Sequence, residues 1–183
     1  MSETSKHLFA VLLGGRAPGC RVELHDVAFA VGESLETIHD TLLDQWFGEP
    51  HGLHVDAYCL VDQVEGYRIR LDPSPPNHPE QRLYFINIGG YRPGEFAEQH
   101  AYHLLAAPNK TEAKAKAKRQ LLQGHTEVHK DDLYDVDDVL RIDSAGGVFV
   151  HLDPDPAACS PDIVNGYFPL PLKVVQAWIE KKA

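Results

Sequence analysis

Four short polar pairs carry the residue types of an acid–base or metal site. Glu23-x-His25 and His54-x-Asp56 lie in the first half of the chain, and Glu98-x-His100 and His129-x-Asp131 in the second. Residues two apart on a strand share a face, so each pair can present both side chains together. Two such strands side by side offer two imidazoles and two carboxylates, a set that suits Zn²⁺, Mn²⁺ or Fe²⁺ with positions left for water or substrate. The same residues also suit a ligand or acid–base site without a metal, or charge-assisted hydrogen bonds that knit strands together. Each motif is weak alone, and recurrence is what gives the set weight. The pattern fixes no cofactor; a divalent metal is the candidate.

Two Gly-Gly-x-x-Pro-Gly segments accompany these pairs: Gly14, Gly15, Pro18 and Gly19, then Gly89, Gly90, Pro93 and Gly94. They are candidate ligand-binding loops. They lack the spacing of nucleotide loops, and a strand rather than a helix start follows them, so phosphate is not the expected ligand. A rigid wide hairpin, its glycines permitting φ > 0, is the plain alternative. Cys20, Cys59 and Cys159 form no CxxC pair and are odd in number, which argues against a disulfide framework or zinc ribbon. Cys20 sits where the second loop has Glu95, which weakens any reading of it as a nucleophile.

An internal duplication positions all of these residues. Residues 8–31 align without a gap on 83–106 at an offset of 75, and Leu8, Gly14, Gly15, Pro18, Gly19, Glu23 and His25 recur identically. Shared composition would give about one match in sixteen. The same offset takes His54, Asp56, Val61, Asp62 and Val64 onto His129, Asp131, Val136, Asp137 and Val139. After a six-residue insertion, GYRIRLDPSP from Gly66 returns as GVFVHLDPDP from Gly147.

Apolar runs at Leu8–Leu13 and Leu83–Ile88 predict buried strands, and 23–31 and 98–106 predict strands returning beside them. Leu35, Ile38, Leu42 and Trp46 make a helical stripe after Ser34; Asn109 with Glu112 opens a second helix bearing Ala113, Ala117 and Leu121. Further strands are expected near 53–61 and 66–71, and near 127–134 and 147–152. A C-terminal amphipathic helix with Val174, Val175, Trp178 and Ile179 completes the chain.

The expected fold is α+β: a ββαββ unit written twice, with antiparallel sheets, helices on one face, a pseudo-twofold and an extra C-terminal helix. The expected segments are a first unit at 1–75, a proline-rich linker at 76–82, a second unit at 83–156 and an extension at 157–183. Glu36, Asp40 and Asp44 oppose the lysine-rich second helix in charge, which suggests mutual attraction within or between chains.

The assembled pattern, LGGxxPGxxxExHD, an amphipathic helix, GLHVDAY and GYRIRL, resembles the bacterial family called domain of unknown function 1543. The resemblance covers both repeats and implies a domain present in one or two copies per chain. It implies no activity. The second repeat departs from the fuller pattern, with Ala101 for Asp26 and Lys130 for Val55.

A net charge of −10 opposes binding to nucleic acid or anionic membranes. The early apolar run is too short for a signal peptide core or a membrane span, so a cytoplasmic location is expected. The expected function is a module that binds a small molecule or a protein, with homo-oligomerisation a candidate. The alternative is a metal-dependent hydrolase or oxidoreductase using the Glu/His/His/Asp set.

Overall fold

The structure, a computed structural model, describes residues 5–91, 94–124 and 135–183. In chain order its elements are β1 (His7–Gly15), β2 (Leu24–Gly32), a 3₁₀ turn (Glu36–Ile38), α1 (His39–Gln45), β3 (His54–Leu60), β4 (Gln63–Val64) and β5 (Tyr67–Asp72). There follow β6 (Arg82–Gly90), β7 (Gln99–Ala107), α2 (Lys110–Gly124), β8 (Asp135–Ile142), β9 (Ser144–Ala145), β10 (Val148–Pro154), β11 (Val164–Pro169) and α3 (Leu172–Lys182). The sheets are antiparallel and the class is α+β.

The chain divides into two compact units, Met1–Asp62 with Pro161–Ala183, and Gln63–Ser160. These differ from the segments expected at 1–75, 76–82, 83–156 and 157–183, for two physical reasons. The hairpin β4–β5, written in the first repeat, pairs through β5 with β10 along Tyr67–Asp72. Residues 161–183 are no appendage, because β11 adds to the first sheet beside β3.

In the first unit the sheet order is β11-β3-β1-β2. Phe9, Val11 and Leu13 alternate along β1 and pack with Ile38, Leu42 and Val175 from the helical side. Leu170, Trp178 and Ile179 extend this core. The lysines of α3 answer the acids of α1: Lys181 Nζ reaches Asp40 at 2.7 Å, Lys182 Nζ reaches Asp44 at 2.9 Å, and the Trp178 indole donates to Asp44 at 2.9 Å. Two acids of α1 are thus met within its own unit.

The second unit holds two sheets, β7-β6-β8 and β4-β5-β10-β9. Tyr84, Ile86 and Ile88 alternate along β6 against Ala113 and Ala117 of α2. The start of α2 is capped as its sequence dictates: Asn109 Oδ1 accepts from the Glu112 N–H at 3.0 Å.

Candidate functional site

The two glycine pairs end strands rather than forming loops. Gly14 and Gly15 close β1, and Gly89 and Gly90 close β6. The turn comes after them. The Cys20 N–H donates to the Ala17 carbonyl at 3.1 Å around Pro18 and Gly19, and Gly19 has φ 84°, as a type II turn requires. Gly94 repeats that φ, while Pro93 lies outside the described residues.

Gly14 is flanked on one side by His25 of β2 and on the other by His54 of β3. A Cβ at Gly14 would stand 2.5 Å from His54 Nε2 and 2.6 Å from Asp56 Oδ2, so only a bare backbone lets these groups meet over it. Gly15 does the same for the Trp46 ring, whose Cζ2 would lie 2.8 Å from an added Cβ.

Above Gly14 the four polar side chains converge. His25 Nε2 lies 3.5 Å from Glu23 Oε1 and 3.1 Å from Asp56 Oδ2. His54 Nε2 lies 3.4 Å from the same Glu23 oxygen and 3.3 Å from Asp56 Oδ1. Simple alternation along a strand does not account for this. The ladder between β1 and β3 slips between Leu12 and Leu13, leaving Asp56 as an extra residue on β3. Such a bulge re-aims a side chain.

His54 is buried, its side chain 3% exposed, whereas Glu23 and His25 remain 44% and 45% exposed, so the cluster opens to solvent on their side. His54 Nδ1 is 3.0 Å from the Gly52 carbonyl. A carbonyl only accepts, so Nδ1 carries the proton; in neutral His54 the Nε2 lone pair then faces the cluster. Asp56 Oδ2 is the single buried side-chain oxygen or nitrogen among the described residues with no hydrogen-bond partner. Orphaned carboxylate oxygens of this kind are costly unless a cation or donor meets them.

The second unit repeats the plan with different partners. Gly89 is flanked by His100 of β7 and Asp135 of β8, and Asp137 is the extra residue at the equivalent slip between Asn87 and Ile88. An added Cβ at Gly89 would run into Asp137 Oδ2 and Glu98 Oε1. Asp135 and Asp137 therefore take the places of His54 and Asp56, and the six additional residues precede β8 rather than following Val139. His129 and Asp131, expected in those places, lie outside the described residues.

His100 is farther from its carboxylates, at 3.9 Å from Glu98 and 3.7 Å from Asp137. Asn87 Oδ1 instead engages His100 Nδ1 at 3.1 Å, and the Tyr91 hydroxyl donates to Glu98 at 3.2 Å. That bond to Glu98 holds the Tyr91 phenol above its ordinary range.

Neither Cys59 nor Cys20 adds to the first cluster. Burial pushes the Cys59 thiol up to about 11, too high for a nucleophile at neutral pH. Cys20 Sγ accepts from the Ala17 N–H at 3.3 Å and so belongs to the turn. The residue that sequence reasoning missed is Tyr167 of β11, whose ring centroid lies 4.5 Å from that of His54.

The model of the family described as Domain of Unknown Function (DUF1543) matches twice, at residues 20–71 and 95–144, together more than half of the chain. The chain belongs to the DUF1543 family. The first match contains Glu23, His25, His54 and Asp56, and the second contains Glu98, His100 and Asp137; Gly14 and Tyr167 fall outside both. The two DUF1543 copies accord with a duplication. The crystal structure of protein Il1583 from Idiomarina loihiensis is 34% identical with a TM-score of 0.71, covering 91% of this chain and 99% of that one. A search of curated proteins finds none that matches. Among the described residues, no helix is long and apolar enough to cross a membrane.

Proposed function

We propose that the first DUF1543 unit is a divalent-metal centre, with Zn²⁺ ahead of Mn²⁺ and Fe²⁺, whose solvent-facing side takes a small ligand. The Asp56 carboxylate carries this reading: its buried Oδ2 makes no hydrogen bond, and its two oxygens lie one against each imidazole, Oδ2 at 3.1 Å from His25 Nε2 and Oδ1 at 3.3 Å from His54 Nε2. Imidazole and carboxylate alternate around the cluster at 3.1–3.5 Å. Metal–ligand bonds of about 2.0–2.2 Å in a tetrahedron separate neighbouring donors by about 3.3–3.6 Å. The measured neighbours fall near that range, and single ligand atoms of Glu23, His25 and Asp56 lie within 4.8 Å of one another, with His54 adjoining Glu23 and Asp56. An N₂O₂ set of this kind is borderline in softness, which favours zinc.

Protons compete with a metal for such donors, and imidazolium could satisfy the same carboxylates. Elemental analysis of the purified chain separates the two. One equivalent of metal is expected, lost in His25→Ala and His54→Ala variants that keep their circular dichroism. A metal-free protein whose melting does not respond to added Zn²⁺ or Mn²⁺ sinks the proposal.

The finer plan of the duplication belongs to this reading. One ββαββ unit, written twice about a pseudo-twofold, accounts for both glycine-floored clusters. The antiparallel pairing of the equivalent strands β5 and β10 supports it, because equivalent strands that pair antiparallel are related by a local two-fold.

A further inference from the structure

We infer that Tyr167, supplied by a strand outside both DUF1543 matches, is a positioning residue of the proposed metal centre that acts through His54; this rests on the metal reading above. Strand β11 pairs Val164 with Tyr58 and Asn165 with Ala57, then Phe168 with Val55 and Pro169 with His54. Between these pairs Gly166 and Tyr167 stand against the single residue Asp56 of β3. Two residues against one form a bulge, and bulges beside functional sites redirect a side chain.

Here the redirection is visible on both sides of Tyr167. Phe168 packs edge-on against Tyr58 at 6.0 Å, and its ring leaves no room for a Cβ at Gly166, which would lie 2.9 Å from Phe168 Cζ. Tyr167 turns the other way, onto the imidazole of His54. Its residue is 68% exposed, so core packing does not explain its place. The His54 ring is thereby held three ways: by the Gly52 carbonyl at Nδ1, by the bare Gly14 beside Nε2, and by the Tyr167 ring tilted against it at 48°.

Groups that fix the orientation of a ligating histidine commonly change metal affinity by about 10–100-fold. The ring, not the hydroxyl, makes the contact described, so Tyr167→Phe and Tyr167→Ala separate the roles. Zn²⁺ affinity, read by competition with a chromogenic chelator, is expected to fall about tenfold or more in Tyr167→Ala and to stay within about twofold in Tyr167→Phe. The visible absorption of the Co²⁺-loaded protein should change in Tyr167→Ala and match wild type in Tyr167→Phe, a signature that general loosening of the fold does not give.

Wild-type affinity and cobalt spectrum in Tyr167→Ala would overturn the inference while leaving the metal centre intact. Equal losses in both variants would also overturn it, placing the role in the hydroxyl. A wild-type protein that takes up no zinc would remove the metal reading and this inference together.

Discussion

The two DUF1543 units begin from one plan and solve the same electrostatic problem differently. Both lay a histidine beside a bare glycine and push a carboxylate inward at a bulge, Asp56 in one and Asp137 in the other. In the first unit the other flank of the glycine is a second histidine, and one buried carboxylate oxygen makes no hydrogen bond. In the second that flank is Asp135, and side chains that the first unit lacks engage the polar groups: Asn87, where the first has Leu12, holds His100, and Tyr91, where the first has Arg16, holds Glu98. A set of donors satisfied by its neighbours has little to gain from a cation, and an unsatisfied set has much. The difference teaches that both copies have the floor and the bulge, while the side chains around them differ.

Replacing a histidine in each unit should break the comparison most sharply. His54→Ala is expected to abolish stoichiometric metal and His100→Ala to leave it unchanged, as measured by elemental analysis; equal losses would mean that the units are equivalent. Next in size is Gly14→Ala. Its methyl group would occupy the space between His54 Nε2 and Asp56 Oδ2, and Zn²⁺ affinity should fall about 100-fold. Its melting temperature should stay within about 4 °C of wild type, as for a change of about 1 kcal/mol.

The converse change sharpens the contrast. Asp135→His with Asn87→Leu restores the first unit's residue types in the second, and a second, weaker equivalent of metal should appear in a zinc titration. A stoichiometry still at one would show that the looser placement of His100, rather than its partners, decides.

The smallest expected effect concerns the helix that only the first unit possesses. Hydrogen bonds from Lys182 and then Trp178 hold the Asp44 carboxyl below its ordinary value of 3.8. A carboxyl whose folded value is depressed stabilises the fold above its unfolded value, and loses that contribution as the pH falls through the folded one. Asp44→Asn should therefore lower the melting temperature slightly at pH 7, with the gap closing in a melting series as the pH falls below that ordinary value.

Much of this was legible in the sequence and some was not, for local reasons. The apolar alternation of β1 and β6, the Asn109 cap and the recurrence of Glu-x-His all act through neighbours in sequence, and are read directly. Gly14 and Gly15 were misread as loop because a following Pro-Gly is a strong turn signal, whereas their reason for being glycine is a close approach by residues some 30–40 positions away. Val136, Asp137 and Val139 coincide with Val61, Asp62 and Val64 at the wrong offset, which concealed the true partner of His100 until the ladder set the register. Strand β11 has no clear signal in the sequence, since Gly and Pro are poor strand formers; here Gly166 lies in a bulge and Pro169 ends an edge strand, the two settings in which such residues are tolerated.

The first unit is discontinuous, and this bears on its birth at the ribosome. Residues 63–160 are one continuous stretch, whereas β3 of the first sheet waits for its partner β11, about a hundred residues downstream. At about 5–20 residues per second, that wait is on the order of ten seconds. During it His54 lacks its aromatic cover and β3 presents an unpaired edge, so the older unit is finished only after the whole of the younger one has been made.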